Sequence, residues 1–300
     1  GTVSALFSGT TPMETNTYNV TFYAADKDGT NTESIVITVN DINLYYELHG
    51  PEDGEVIVLS NGIMMSTASW YFQTQALSKH FRVLLYDCRG MWQSDHPEGP
   101  YSMELHADDL AALLDALGIE KAHIAGISYG SEVSLVFALR YPEKTKSLMV
   151  IDGVSEVPLL LKLQSYPWKL ASERNDADLL FHTSVFLNFG EEYLKKNEAL
   201  LPAAHDNFAK LNLTSFVKLM DAFTSYNITD QLSQITSPTL IVVGEEDQIK
   251  GPKLAEIMVA RIPQAEYVVV PGAGHALCLD KPEPLNTLLL GFVLKHSGRE

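Results

Sequence analysis

The chain has 300 residues, of which 46% are hydrophobic and 20% charged, enough for one large α/β domain carrying an insertion. Its 38 acidic residues against 21 basic ones give a formal net charge of −17, dispersed along the chain. That charge argues against a nucleic-acid partner, which needs a basic footprint, and no apolar run approaches the ~20 residues of a membrane span.

Two cysteines, Cys88 and Cys278, sit in no metal-ligand or framework spacing, which leaves at most one optional bridge and no zinc site. The chain opens Gly1-Thr2-Val3 with no signal peptide. A signal already removed would leave no trace, so cytoplasmic and secreted settings both stay open.

Residues 1–33 stand apart from the rest of the chain. Asn19–Tyr23, the polar stretch Asp26-Lys27-Asp28-Gly29 and a strand at 34–39 read as a β-hairpin-like extension. It resembles the closing hairpin of an immunoglobulin-like surface domain, and a longer N-terminal meander of the main domain is an equal reading. The strands 34–39 and 43–48 flank Asn40-Asp41, a tight-turn signal. Apolar, strand-length runs come next at 55–60, 82–86, 123–127, 147–151, 239–243 and 266–270. Between them lie helical stripes. Leu110, Leu113, Leu114 and Leu117 recur at i, i+3, i+4, i+7, as do Leu285, Leu288, Leu289 and Phe292; Val133, Val136 and Phe137 give a shorter match. This alternation predicts an α/β fold, a mostly parallel sheet of eight strands with helices on both faces and an antiparallel start.

Residues 154–232 break the rhythm. Helical patterns at Leu159–Leu170, Leu179–Phe186, Tyr193–Leu201 and Phe216–Phe223 occur there without a clear strand. An insertion at this point predicts a helical cap over the carboxyl edge of the sheet, where open α/β sheets hold their ligands. The division is therefore an extension at 1–33, a core at 34–153 and 233–300, and a cap at 154–232.

The motif that carries chemistry is Gly126-Ile127-Ser128-Tyr129-Gly130. The string alone is weak, but it ends an apolar strand and opens an amphipathic helix. A serine on so sharp a turn needs tiny residues two before and two after it, because strand and helix pass close together there. Before it stand Asn61-Gly62 and Arg89-Gly90 with Ser94-Asp95, and after it Gly244-Glu245-Glu246-Asp247 and Gly272-Ala273-Gly274-His275, each just past a predicted strand. In this order, from about residue 34 to the end, the chain resembles the α/β-hydrolase family, in its capped esterase, lactonase and C–C hydrolase branch.

A hydroxyl is a poor nucleophile at neutral pH and needs an adjacent base that titrates near 7, which points to histidine. Of nine histidines only His275 lies in a Gly-rich loop between a late strand and the last helix. The imidazole needs a carboxylate to fix its tautomer, and Asp247 keeps the order Ser…Asp…His, with Asp152 at the end of an earlier strand as its rival. The resemblance implies an oxyanion hole of two backbone N–H groups, Tyr129 and Ile63. It also exposes departures: Asn61 where relatives more often have histidine, Trp92 where they usually have glycine, and Ser131 for a glycine after the elbow. Pocket candidates are Met64, Trp92 and Trp168, with Met65, Trp70, Leu159, Leu160, Leu163, Phe186, Phe189 and Phe223 near them.

The expectation is a serine hydrolase of small carboxylic esters acting through an acyl-enzyme, with no metal and no organic cofactor. Lactone or C–C bond hydrolysis on the same three side chains, and a receptor-like member that binds without turnover, are the alternatives. The expected partner is a small-molecule ester; the oligomeric state is left open.

Overall fold

The computed structural model describes residues 20–22 and 32–298. Strands β1 (Val20–Phe22), β2 (Thr32–Val39), β3 (Ile42–His49), β4 (Val56–Ser60), β5 (Arg82–Tyr86), β6 (Ala122–Ile127), β7 (Thr145–Ile151), β8 (Thr239–Gly244) and β9 (Glu266–Val270) form one sheet. Their spatial order is β1-β2-β3-β5-β4-β6-β7-β8-β9. From β5 onward along this order neighbouring strands are parallel; β1, β2 and β3 pair antiparallel. The eight strands expected from the pattern are β2 to β9, and the short β1 adds a ninth at the edge, against Ile35–Ile37. The rest of the 1–31 segment lies outside the described residues. Asn40 and Asp41 both take positive φ, 46° and 63°, as a two-residue hairpin turn between paired Val39 and Ile42 requires.

Strands β4, β6 and β8 are buried at every position because helices cover both sides of the sheet. The two-residue period sorts their side chains between two cores. Val58 and Leu84 join the core under α2 (Met103–Ala116) and α3 (Tyr129–Arg140); Ile57, Leu59, Val83 and Leu85 join the core under α1 (Tyr71–Leu77). Cys88 lies in the first core and Cys278 in the second, both buried and unpaired.

Helix α3 is buried from Tyr129 to Ala138, so it has little polar face to display, which is why its apolar stripe in the sequence is short. Five helices lie between β7 and β8: α4 (Leu159–Glu173), α5 (Ala177–Ser184), α6 (Glu191–Lys196), α7 (Leu201–Phe208) and α8 (Leu213–Ser225). The stretch predicted as one helix at 193–201 is divided, because Pro202 starts a new helix in its first turn. After β8 come α9 (Pro252–Val259), α10 (Leu277–Asp280) and α11 (Pro282–His296). Among the described residues no helix is long and apolar enough to cross a membrane.

Candidate active site

Ser128 joins β6 to α3 with φ 54° and ψ −117°, a strained conformation for a residue with a Cβ. The surroundings over-determine it. Its N–H donates to the Ile151 carbonyl at 2.9 Å. A Cβ on Gly126 would strike the Gly130 carbonyl, and one on Gly130 would strike the Ser60 carbonyl. Ser131 ties the turn further: its Oγ lies 2.6 Å from the Gly126 carbonyl oxygen and accepts the Ile151 N–H at 2.9 Å. A glycine there would supply neither bond.

The loop after β9 carries His275 and the loop after β8 carries Asp247, and both turn toward Ser128. Ser128 Oγ stands 2.8 Å from His275 Nε2, and His275 Nδ1 stands 2.8 Å from Asp247 Oδ2. The other carboxylate oxygen of Asp247 accepts the N–H groups of Ile249 and Lys250 at 2.8 and 2.9 Å. Burial pushes the Asp247 carboxyl up, but the neighbouring imidazole and these amides outweigh it and hold it below the ordinary carboxylate range. Asp152 behaves oppositely. Burial first, then repulsion from Asp247, raise its carboxyl well above the ordinary value; Oδ1 accepts the Gly244 N–H at 2.8 Å. Two carboxyl groups beside one imidazole are thus driven apart, Asp247 downward and Asp152 upward.

Ile63 and Tyr129, the two expected amide donors, both line the cleft above Ser128. Behind Ile63, Asn61 Nδ2 donates to the Tyr86 carbonyl and to Asp87 Oδ1, both at 3.0 Å, while its Oδ1 accepts Trp70 Nε1–H at 2.9 Å. Trp70 is therefore a buried anchor rather than a cleft wall. Asp87 also accepts the N–H groups of Thr67 and Gln93. Burial pushes Asp87 up to about 7 against the pull of these amides, with Glu47 adding to the rise. The unfolded carboxyl releases its proton near ~3.9, so the folded chain holds that proton more tightly. The stabilisation from this group is complete below pH ~4 and is lost as pH rises toward about 7. Asp87→Asn is expected to flatten the dependence of Tm on pH across this window; an unchanged slope in a pH series of melting curves counts against the assignment.

The cleft has a volume of about 660 Å³, and Met64, Met65 and Trp168 are among its walls, with Met220 and Phe223 from α8. Trp92 is not. Its backbone, at φ 39°, turns the ring into a neighbouring cleft of about 410 Å³ that shares Ile63, and Nε1–H donates to the Met64 carbonyl at 3.3 Å. Leu159, Leu160, Leu163 and Phe186 are exposed, and none of them is among the cleft walls. Among the described residues two triplets place candidate metal-ligand atoms within 4.8 Å of one another: Asp152–Asp247–His275, and Asp178–His182–His205 on the surface of α5 and α7.

Three features escaped the sequence reading. Asp280 Oδ2 accepts the N–H groups of Gly274, at 2.6 Å, and Gly190, at 2.9 Å, while the Asn188 carbonyl accepts Ala276 N–H at 2.6 Å. A loop of the insertion is thereby fastened on both sides of His275. The third is a buried pair, Glu132 and Lys250, beside the cleft; its signal was a single carboxylate in the first turn of the apolar helix that begins at the elbow.

The profile of the alpha/beta hydrolase fold family matches residues 55–282. A protein of Caulobacter vibrioides named carbamate hydrolase RutD is 30% identical over 256 residues, covering 83% of this chain and 95% of its own. The 3-oxoadipate enol-lactonase 1 of Acinetobacter baylyi is 28% identical over 254 residues, covering 83% and 92%. Among solved structures, MGS-M2, an α/β-hydrolase enzyme from a Medee basin deep-sea metagenome library, superposes with a TM-score of 0.80 at 29% identity over 86% of this chain and 96% of that one. The chain belongs to the α/β-hydrolase family and is a hydrolase.

Proposed function

We propose that the chain is a serine hydrolase that cleaves small carboxylic esters through an acyl-enzyme intermediate. The observation that carries this reading is the unbroken line from Asp247 through His275 to Ser128 Oγ, two contacts of 2.8 Å, at the wall of a mostly apolar cleft. Ser128 Oγ attacks the ester carbonyl as its proton passes to His275 Nε2, and Asp247 stabilises the imidazolium through Nδ1–H. The amides of Ile63 and Tyr129 receive the charge that develops on the carbonyl oxygen. Collapse of the intermediate expels the alkoxide, which takes the proton from Nε2. Water then attacks the acyl-serine with His275 again as base, freeing the acid and restoring the hydroxyl. The insertion at 154–232 acts as a cap that supplies Trp168, Met220 and Phe223 to the cleft wall.

A second reading draws on the relatives, which bear the names of a carbamate hydrolase and an enol-lactonase. Ester, lactone and carbamate all offer an acyl carbon to the same nucleophile, so the machinery is common and the cleft decides. Incubation with a fluorophosphonate followed by intact-mass and peptide analysis is expected to place one adduct on Ser128. A panel of p-nitrophenyl esters, lactones and carbamates then ranks the substrates. An unlabelled Ser128 under conditions that label a control serine esterase overturns the reading.

A further inference from the structure

The proposed chemistry makes no use of the most deeply buried ion pair beside it. Lys250 Nζ lies 2.7 Å from Glu132 Oε2, and the two side chains are 3% and 0% exposed. Glu132 stands one helical turn past Ser128 on α3, and Lys250 three residues past Asp247, so the pair links the loops that carry the nucleophile and its acid. Glu132 is satisfied on both oxygens, because Oε1 accepts the Val154 N–H at 2.9 Å. Lys250 is not. An ammonium has three donors; one goes to Glu132, and the Phe223 ring lies 4.6 Å from Nζ. Among the described residues no second oxygen receives a bond from Nζ. Lys250 and Phe223 line the same cleft as Ser128 and His275, in an otherwise mostly apolar wall.

Stability does not explain such a pair. Replacing a buried ion pair by apolar residues of similar volume is often neutral or stabilising, so net stability is a weak reason for this one, and its place in the cleft wall with donors to spare points to a ligand. Building on the ester-hydrolase reading, we infer that Lys250 selects substrates that carry, besides the scissile carbonyl, a second uncharged oxygen acceptor such as a ketone, ether or amide oxygen. A plain alkyl group at that point would strip water from the spare ammonium donors and return nothing, a mismatch that discriminates strongly in dry pockets. A carboxylate is disfavoured for a different reason. Glu132 already neutralises Lys250, and Asp247 leaves the surroundings with a net negative charge, so a further buried anion would lack a counter-ion.

The test compares p-nitrophenyl oxoalkanoates with the ketone at C4, C5 or C6. Each is set against the methyl-branched alkanoate of the same shape and the carboxylate-ended monoester of the same length, all corrected for the enzyme-free rate. For the best ketone position, wild type is expected to favour the ketone at least about tenfold in kcat/KM over both counterparts. Removing Lys250 alone would strand Glu132, so the pair is removed together in E132M/K250M, with Tm and circular dichroism recorded. In that variant the ketone-to-methyl ratio is expected to fall to about one. Equal turnover of ketone and methyl partners by wild type, a preference for the carboxylate, or a preference that survives in the folded double variant each overturns the inference while leaving the hydrolase reading intact. Absence of all turnover together with an unlabelled Ser128 overturns both.

Discussion

Ser128→Ala is expected to lower kcat/KM toward the best ester by at least about 10⁵-fold, with Tm shifted by no more than a few degrees. The size reflects the loss of the hydroxyl placed 2.8 Å from His275 Nε2; deleting the nucleophile of such a set costs on the order of 10⁶ in turnover. The fold tolerates the change because the turn is held by backbone and neighbours: the Ser128 amide on Ile151, the Ser131 hydroxyl between β6 and β7, and the two glycines. The variant also keeps its Cβ, so the strain at φ 54° is unchanged. Steady-state rates with active-site titration decide the matter, since titration removes contamination by wild type. A variant that retains even a hundredth of the activity shows that another group carries the reaction.

The second large effect separates the two carboxyl groups. Asp247→Asn is expected to cost about 10⁴-fold in kcat, the loss incurred when an imidazole is held in the wrong tautomer. Asp152→Asn is expected to cost less than about tenfold. Burial and the neighbouring Asp247 push the Asp152 carboxyl upward, and its bond to the Gly244 amide uses an oxygen that asparagine retains. The two substitutions are nearly isosteric and lie around one imidazole, so the contrast reads charge rather than packing. Equal losses would mean that the pair works as a shared-proton unit, and a larger loss at Asp152 would reverse the assignment.

Much of this was legible in the chain. The apolar strands, the Asn40-Asp41 turn and the spacing of the elbow glycines are local signals, each set by a few neighbouring residues. His275 was readable because its loop is built from small residues between two strongly patterned elements. What was missed depends on approach across long separations. Glu132 meets Lys250 across 118 residues and Asp280 meets Gly190 across 90, so no periodicity announces either contact. Trp92 was expected in the cleft and lines the neighbouring one instead, with a positive φ that residue type alone does not reveal. Leu159, Leu160 and Leu163 have the composition of an inner face, yet the helix presents them outward. Composition marks an apolar face; only neighbours decide what it touches.

The Asp280 carboxylate, which bonds Gly190 on one side and Gly274 on the other, bears on how the enzyme admits its substrate. With the Asn188 carbonyl bound to Ala276, it rivets the 188–190 segment to the backbone on either flank of the base. Lifting the roof at this corner would drag the imidazole away from the serine. One carboxylate and one carbonyl therefore couple the placement of the 188–190 segment to the placement of the base, so that neither can shift without the other.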